Sequence, residues 1–318
     1  MEKVRLAMST EKRVACIGCG VVGGAWAGLF ASRGLSVNAY DPSAEAESTL
    51  RRTVRQAMAY SNVPDRDVPR VVHFTTVLEE AVAGVDFVQE SAPEHFETKR
   101  DLYSTLDNLV PPSVPIASST SGLPISELQV GCTHPERLVV GHPINPPYAV
   151  ELVEVVGGAR TSQKTIDRVI AFYRSVGRRP VRLDEEVFGF VANRLQMALV
   201  REALQLIMRG QASIEQIDHI LMYGIGVRWS AVGVFGAYLL NTPECEASDW
   251  LTHLESVNFG AQLVHDGDFS GWNSDLKRRI SEQWRARTGL AGGEGIRRER
   301  DQMVAAINQL RQLNDPNQ

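Results

Sequence analysis

Residues 13–41 read RVACIGCGVVGGAWAGLFASRGLSVNAYD, and this stretch decides the fold. A short apolar run leads into the glycine turn Gly18-x-Gly20-x-x-Gly23, and the turn leads into a segment long enough for a helix. A second apolar run follows and ends at Asp41, 21 residues beyond Gly20. Strand, glycine turn, helix, strand and terminal acid in this order predict a dinucleotide-binding Rossmann unit.

The glycines and the acid have separate physical tasks in such a unit. Gly18 permits the tight turn, Gly20 lets the backbone approach a pyrophosphate, and Gly23 lets helix and strand pack closely. Asp41 would accept hydrogen bonds from ribose hydroxyls and repel a 2′-phosphate. No arginine follows it closely, so the sequence predicts NAD rather than NADP. The alternative is that the glycines form only a strand–helix turn and that Asp41 only caps.

The composition is that of a soluble globular protein. The chain has 318 residues, enough for two domains, and 22% of them are charged. Its net charge is −5 and it has no basic stripe interleaved with aromatic residues, which argues against a nucleic-acid partner. The charge-free residues 14–32 follow Lys12-Arg13 and could be mistaken for a signal peptide or short membrane span. Their glycine spacing fits the turn instead, so we expect neither export nor a membrane partner.

The chain has four cysteines, Cys16, Cys19, Cys132 and Cys245. Cys16 and Cys19 form a C-x-x-C, which could be a redox or zinc pair. The surrounding segment is strand-like and no second pair stands at metal spacing, so we expect two small residues entering the turn and no metal site. Unpaired thiols fit a reducing cytoplasm.

The pattern of elements changes near residue 185. Before it, short apolar runs alternate with amphipathic stretches, which indicates a parallel sheet with crossover helices. The predicted strands are residues 13–18, 36–41, 71–75, 86–90, 114–117, 137–141, 150–156 and 180–183, and the predicted helices are 44–60, 97–109 and 163–176. After it, helical periodicity covers residues 190–208, 214–222, 243–265, 274–286 and 296–313.

We therefore predict an α/β fold in which an N-terminal Rossmann-type doubly wound sheet is followed by an all-helical C-terminal domain. Residues 1–187 would form the NAD-binding domain, and residues 188–318 would form a helical substrate and dimerisation domain. The predicted helix over residues 190–208 is apolar on more than one face. A monomer would leave part of that surface in water, so we expect a homodimer.

His142 and Glu154 are the candidates for acid–base chemistry. Oxidation of an alcohol with NAD needs a base, usually histidine, and a carboxylate behind the histidine fixes its tautomer. His142 follows the predicted strand 137–141 at the edge where doubly wound sheets place their sites. Glu154 lies inside an apolar run, where a buried carboxylate needs a partner. The residues alone leave open a strand-end histidine bound to backbone and an exposed glutamate on an edge strand.

Two other polar positions stand out. Ser121 belongs to the hydroxyl-rich run 118–122, which follows a predicted strand end where hydroxyls can face a nicotinamide or a substrate oxygen. Asn193 lies in the apolar start of a long predicted helix, and a buried amide there must be paired. The simpler alternatives are a loop leading into a helix and a helix–helix hydrogen bond.

Five segments together resemble the 3-hydroxyacyl-CoA dehydrogenase superfamily, over about residues 13–241. They are VACIGCGVVGG (14–24), VQESAPEHFETK (88–99), ASSTSGL (117–123), GHPINPPY with LVEVVGG (141–158) and FGFVANRL (188–195). The resemblance implies an NAD-dependent dehydrogenase with His142 as the catalytic acid/base and Glu154 as its orienting partner. It further implies contacts of Ser121 and Asn193 with the substrate oxygen, nicotinamide or histidine network, and of Glu94 and Lys99 with the cofactor.

Within the superfamily, the segments are most similar to the groups that act on free hydroxy acids, the L-gulonate 3-dehydrogenases (lambda-crystallin) and the carnitine 3-dehydrogenases. Fatty acyl-CoA enzymes usually have a Tyr-Pro-Met-Gly-Pro-like segment where this chain has GVRWS at 226–230. Arg228 is therefore expected to bind a substrate carboxylate, with Asn145 as a second substrate contact; a solvated loop arginine is the alternative. At 235–238 this chain has FGAY where both groups carry a glutamate, which leaves the particular acid open.

The sequence thus predicts an enzyme that interconverts a small 3-hydroxy acid and its 3-keto acid with NAD. One alternative is a dehydrogenase of 3-hydroxyacyl thioesters on CoA or a carrier protein. The other is an NAD-binding structural protein without activity.

Overall fold

The computed structural model describes residues 12–63, 71–226, 229–230 and 233–234, and the single positions 306, 309 and 313. The chain divides into two compact units, Met1–Leu195 and Gln196–Gln318. The helices predicted over residues 243–265 and 274–286, and all but those three positions of 296–313, lie outside the described residues.

An eight-stranded sheet forms the centre of the first unit. Its strands are β1 (Arg13–Ile17), β2 (Ser36–Tyr40), β3 (Val72–Thr75), β4 (Phe87–Glu90), β5 (Ile116–Ser118), β6 (Leu138–Pro143), β7 (Leu152–Gly157) and β8 (Arg179–Leu183). They lie in the order β3-β2-β1-β4-β5-β6-β7-β8. All neighbours are parallel except β6 and β7. The order reverses between β1 and β4, which is the switch point where doubly wound folds bind ligands.

Helices cover both faces of this sheet. They are α1 (Val21–Ser32), α2 (Ala46–Tyr60), α3 (Leu78–Val82), α4 (Phe96–Leu109), α5 (Ile125–Leu128) and α6 (Gln163–Ser175). Helices α1, α2 and α6 share one buried apolar cluster with strand residues such as Val139 and Val155. Helices α3, α4 and α5 share a second cluster with Val140 and Val156. Consecutive strand residues point to opposite faces, so β6 and β7 supply residues to both clusters.

The glycine turn between β1 and α1 shows why small residues are needed there. Gly18 has a φ of +92°, which L side chains rarely adopt. A Cβ on Gly23 would lie only 1.8 Å from the carbonyl oxygen of Gly18, so helix and strand could not approach as they do. A Cβ on Gly20, in contrast, would meet no protein atom within 4 Å. The backbone of Gly20 is therefore open to a ligand.

The antiparallel pairing of β6 with β7 follows from the length of their connection. Residues 144–151 join the two strands, and a parallel return would need a crossover of a dozen or more residues. The pairing then places the two strands in direct opposition, residue by residue, from Val139 and Gly157 to Pro143 and Val153.

Helix α7 (Phe190–Met208) begins in the first unit and continues into the second. Helix α8 (Ile214–Ile220) starts with a capping box between Ser213 and Gln216, and a π-helical turn follows over Leu221–Ile225. Along α7, Leu195, Met197 and Val200 are exposed. In the part of the chain that the structure describes, no helix combines the length and the apolar character needed to cross a membrane.

The predicted fold class is confirmed, with two local corrections. The sequence prediction missed α3 and α5, which have five and four residues and are too short to show a helical period. It also ended the sixth strand at Gly141, whereas β6 continues to Pro143. His142 is therefore inside a strand rather than just beyond its end, because the antiparallel ladder with β7 holds it there.

Candidate active site

His142 and Glu154 face each other directly across β6 and β7. The His142 Nδ1 atom lies 2.8 Å from Glu154 Oε2. Both residues are buried, with exposed fractions of 3% and 2%. The carboxylate accepts, so Nδ1 carries the hydrogen in the neutral imidazole and Nε2 keeps its lone pair. The arrangement leaves Nε2 as the atom that can take a proton from a ligand.

The second carboxylate oxygen of Glu154 is bound by the start of α7. The N–H groups of Val191 and Ala192 donate to Oε1, at 3.0 and 2.9 Å. Burial alone would raise the pKa of Glu154. The hydrogen bonds from His142 and Ala192, together with the imidazole charge and the Val191 N–H, outweigh burial and hold that pKa below its ordinary value. The group is therefore ionised near neutral pH, where it can stabilise an imidazolium.

Ser121 and Asn193 are joined to each other by a hydrogen bond from Asn193 Nδ2 to the Ser121 carbonyl oxygen, 2.8 Å long. Asn193 stands in the same first turn of α7 that binds Glu154. On the other side, Glu94 Oε1 accepts from the Ser121 N–H at 2.8 Å and from the Thr120 hydroxyl at 2.7 Å. One chain of contacts thus connects Glu94, Ser121 and the first turn of α7, and through that turn the His142–Glu154 pair.

A buried polar cluster lies behind this chain, and sequence reasoning missed its centre, Glu90. Glu90 Oε1 accepts from Lys99 Nζ and from the Ala92 N–H, both at 2.7 Å. Its Oε2 accepts from the Ser118 hydroxyl at 2.8 Å and from the Tyr103 hydroxyl. Glu90 follows Gln89 at the end of β4, so the local sequence does not mark it as buried in the way that the apolar run around Glu154 does.

Lys99, matched by resemblance to a cofactor contact, is almost wholly buried in this cluster, with 1% of its surface exposed. Besides Glu90, its ammonium donates to the Ala92 carbonyl oxygen at 3.1 Å and lies 3.6 Å from Glu94 Oε2. Glu94 itself is exposed. Of these two residues, Glu94 presents its carboxylate at the surface, and Lys99 supports it from beneath.

The turn before α1 provides a place where the diphosphate of a dinucleotide fits. Helix α1 starts at Val21, and no side chain caps its first turn, so its N–H groups and dipole are available to an anion. The open backbone at Gly20 faces the same turn. Asp41 follows β2, and its carboxylate is oriented by the N–H groups of Cys19 and Ser43, at 2.9 and 3.1 Å. An acid at this position suits ribose hydroxyls and disfavours a 2′-phosphate.

The C-x-x-C pair consists of buried free thiols. Burial, with smaller contributions from neighbouring negative charges, raises the pKa of Cys19 to about 12, and burial likewise raises that of Cys16. Thiolates are the reactive and metal-binding form, so this environment favours core packing over redox chemistry. Among the described residues, no group of three or more His, Cys, Asp or Glu side chains could hold a metal ion.

Of the two residues predicted to contact the substrate, the structure describes Asn145 but not Arg228. Asn145 is exposed in the loop after β6. Arg178 Nη1 donates to the carbonyl oxygens of Pro147 and Val150 in that loop, at 2.9 and 3.4 Å. Arg228 lies outside the described residues.

A doubly wound sheet with an open helix N-terminus, an acid after β2 and a buried histidine–carboxylate pair is the arrangement expected of a nicotinamide-dependent dehydrogenase. Residues 13–187 match the family model "3-hydroxyacyl-CoA dehydrogenase, NAD binding domain", and residues 189–263 match "3-hydroxyacyl-CoA dehydrogenase, C-terminal domain". The chain belongs to the 3-hydroxyacyl-CoA dehydrogenase family, and it is an NAD-dependent oxidoreductase that acts on a CH–OH group. The predicted family and cofactor are thus confirmed.

Several known proteins are similar to this chain. The L-carnitine dehydrogenase of Streptomyces coelicolor is 45% identical over 250 residues, which are 76% of this chain and 77% of that protein. The L-carnitine dehydrogenase of Pseudomonas aeruginosa is 42% identical over 237 residues, 72% of each chain. The crystal structure of 5-formyl-3-hydroxy-2-methylpyridine 4-carboxylic acid 5-dehydrogenase, an NAD⁺-dependent dismutase, has a TM-score of 0.78 at 28% identity, covering 95% of this chain and 98% of that chain.

Asp41 should set the choice of cofactor. We expect kcat/KM to be at least about tenfold higher with NAD than with NADP, because hydrogen bonds to a charged group are worth roughly 1.5–3 kcal/mol and 1.4 kcal/mol is tenfold. Asp41→Ser should reduce this ratio by a similar factor. Steady-state kinetics with both cofactors measure it.

The matched control is Glu47→Gln, which removes a negative charge from the first turn of α2 and should leave the ratio unchanged. A wild-type enzyme that used NADP as well as NAD would contradict the role given to Asp41.

Proposed function

We propose that this enzyme interconverts a small free 3-hydroxy acid and its 3-keto acid, with His142 as the general acid/base. The observation that carries the proposal is the buried His142–Glu154 pair, with Nδ1 and Oε2 2.8 Å apart. The pair is linked through the first turn of α7 to Ser121 and Asn193. These four residues supply a base, its orienting carboxylate and polar groups that can hold a substrate oxygen.

The proposed mechanism assigns one task to each residue. Nε2 of His142 accepts the proton of the substrate hydroxyl, while Glu154 keeps the imidazole oriented and stabilises the imidazolium that forms. Ser121 and Asn193 position the reacting oxygen. Gly20 and the start of α1 would hold the diphosphate of NAD and Asp41 its ribose, and the bound nicotinamide would supply the hydride acceptor. In the reverse direction, His142 returns the proton to the developing alkoxide.

The similarity to L-carnitine dehydrogenases supports a small acid as substrate, since carnitine is a free 3-hydroxy acid. In this proposal Arg228 binds the substrate carboxylate through a bidentate ion pair, and Asn145 is a second contact. Gly236, where a glutamate is expected in the gulonate and carnitine groups, would leave room for a different substituent at the far end of the substrate. The family description favours one second candidate, a 3-hydroxyacyl thioester.

Substitution of the acid–base pair tests the mechanism. His142→Asn should lower kcat by about 10²–10⁴, the usual contribution of a positioned acid/base. Glu154→Gln should lower kcat less and move the acid limb of the kcat/KM profile to lower pH, because the imidazolium loses its stabilising charge. NAD affinity should stay close to wild type, and the melting temperature should fall, because each substitution removes one partner of a buried hydrogen-bonded pair, while both proteins stay folded at the assay temperature. Near-normal turnover by a folded His142→Asn protein would rule out this mechanism.

A substrate panel tests the class of acid. NADH formation is followed with L-carnitine, L-gulonate and 3-hydroxybutyrate, and with 3-hydroxybutyryl-CoA. We expect turnover of free acids, and Arg228→Met should lower their kcat/KM by roughly 30- to 1000-fold, because a charged hydrogen-bond partner contributes about 2–4 kcal/mol. Any thioester activity should be spared. A wild-type preference for the thioester, or full activity of Arg228→Met on free acids, would favour the second candidate.

We also propose a cytoplasmic homodimer, with residues 1–187 as the NAD-binding domain and residues 188–318 as the substrate and dimerisation domain. The free thiols fit a reducing compartment. The exposed apolar side chains along α7, at Leu195, Met197 and Val200, are a surface that a second copy would cover. Light scattering at micromolar concentration should give twice the chain mass of 35.1 kDa. A monomeric mass would contradict the dimer.

A further inference from the structure

Phe190 stands at the start of α7, next to the acid–base pair. Its side chain is fully buried, and its ring centroid lies 5.3 Å from that of His142. Its backbone has a φ of +50°, directly after Gly189 at +75°. A bulky residue rarely adopts this left-handed conformation, and it persists only where the surroundings enforce it.

The surroundings of the Phe190 ring supply that constraint. The ring belongs to the buried cluster that contains Val140 and Val156. Those valines are two residues from His142 and Glu154 on the same strands, so they share the same face of the sheet. The Phe190 N–H donates to the Val187 carbonyl oxygen at 3.0 Å and closes the turn. Burial of the ring thus fixes the turn against the face that carries the pair.

The left-handed turn has a consequence for Glu154. It starts α7 in a direction that brings the N–H groups of Val191 and Ala192 to Glu154 Oε1, at 3.0 and 2.9 Å. With an ordinary φ at Phe190, the helix would leave the sheet along another path, and these donors would point elsewhere. Phe190 therefore acts on both members of the pair. Its ring packs beside the His142 imidazole, and its backbone directs the N–H groups of the next two residues to Glu154.

We infer that Phe190 is a positioning residue for the acid–base pair: its ring fixes the His142 imidazole, and its left-handed backbone aims two N–H donors at Glu154. The inference rests on the proposed function, since it assigns Phe190 a role in that same site. In this role Phe190 acts only through His142 and Glu154 and does not touch substrate or cofactor.

The test compares Phe190→Leu with Phe172→Leu. Phe172 is a buried aromatic residue that stacks on Phe87, with centroids 3.8 Å apart, in the cluster on the opposite face of the sheet. Its truncation should reduce stability by a comparable amount without touching the pair. If Phe190→Leu does not fold, Phe190→Met is compared with Phe172→Leu in its place, because the flexible methionine side chain can fill the space that the ring leaves. Each protein is assayed for its melting temperature, NAD affinity, kcat and pH profile.

We expect kcat of Phe190→Leu to fall by roughly 10- to 100-fold, the range for slight misplacement of catalytic groups, with NAD affinity unchanged. The acid limb of its profile should move to higher pH, because a Glu154 carboxylate without its two N–H donors keeps its charge less dispersed and stabilises the His142 imidazolium more strongly. Among the described residues, His142 is the titratable group whose charge acts on Glu154. Phe172→Leu should melt earlier but keep the wild-type kcat and pH profile.

Phe190→Gly separates the two tasks, since glycine adopts the left-handed backbone freely but has no ring. It should lose kcat while its acid limb stays at the wild-type pH. If the acid limb of Phe190→Gly moved as far as that of Phe190→Leu, the left-handed backbone would not be what directs the N–H donors to Glu154. Identical kcat and pH profiles in Phe190→Leu and Phe172→Leu would overturn all of it, as would a loss of NAD affinity with kcat intact.

A measurement without turnover keeps this test independent of the proposed substrate. Nitrogen-15 NMR of His142 should show the Nδ1–H tautomer in the wild type and a tautomer mixture in Phe190→Leu. If the wild type turns over none of the hydroxy acids, the proposed function fails, and the NMR result still decides the role of Phe190. An unchanged tautomer in Phe190→Leu would count against that role.

Discussion

The burial of the Glu154 carboxylate is the constraint on which the site depends. Removing a carboxylate from water costs several kcal/mol, and three hydrogen bonds to this one, at roughly 1.5–3 kcal/mol each, are enough to offset it. The donors come from two directions, β6 and the first turn of α7. Register between β6 and β7, and the path of the chain into α7, must therefore both be correct before the charge is tolerated. Glu154 therefore orients the His142 imidazole and also holds β6, β7 and the start of α7 in their relative positions.

The same physical device occurs a second time in the sheet. Glu90 at the end of β4 is fully buried. Four donors satisfy its two oxygens, and they come from β5, from α4 and from the loop between β4 and α4. One of them, Lys99, is charged and also lies near Glu94, which holds the Ser121 N–H. Two buried carboxylates, on β4 and β7, thus fix the two segments that present Ser121 and Asn193. Each segment is a loop or helix start, which is mobile unless anchored.

The sequence predicted the parts of the molecule that depend on local pattern. The Gly18–Gly23 turn and Asp41 could be recognised because their spacing is set by one strand, one turn and one helix. Glu154 could be recognised because an acid inside an apolar run must find a partner. The sequence predicts that His142 pairs with Glu154 but not that His142 stands inside β6, since the extent and register of a strand are set by its pairing with the neighbouring strand. Neither Glu90 nor the left-handed Phe190 was foreseen, because both depend on which elements meet in three dimensions.

The His142–Glu154 pair and the left-handed Phe190 are more easily explained in an enzyme than in a protein that only binds NAD. Replacing a buried ion pair by apolar residues of similar volume is often neutral or stabilising, so stability does not require His142 and Glu154. The left-handed backbone at Phe190 also costs conformational energy that a protein without chemistry could avoid by using glycine. Both features fit the proposed function, in which an imidazole is held in one tautomer with Nε2 free to exchange a proton. The sheet and the glycine turn suffice to bind a dinucleotide, whereas the His142–Glu154 pair, closed by the start of α7, is what the proposed proton transfer requires.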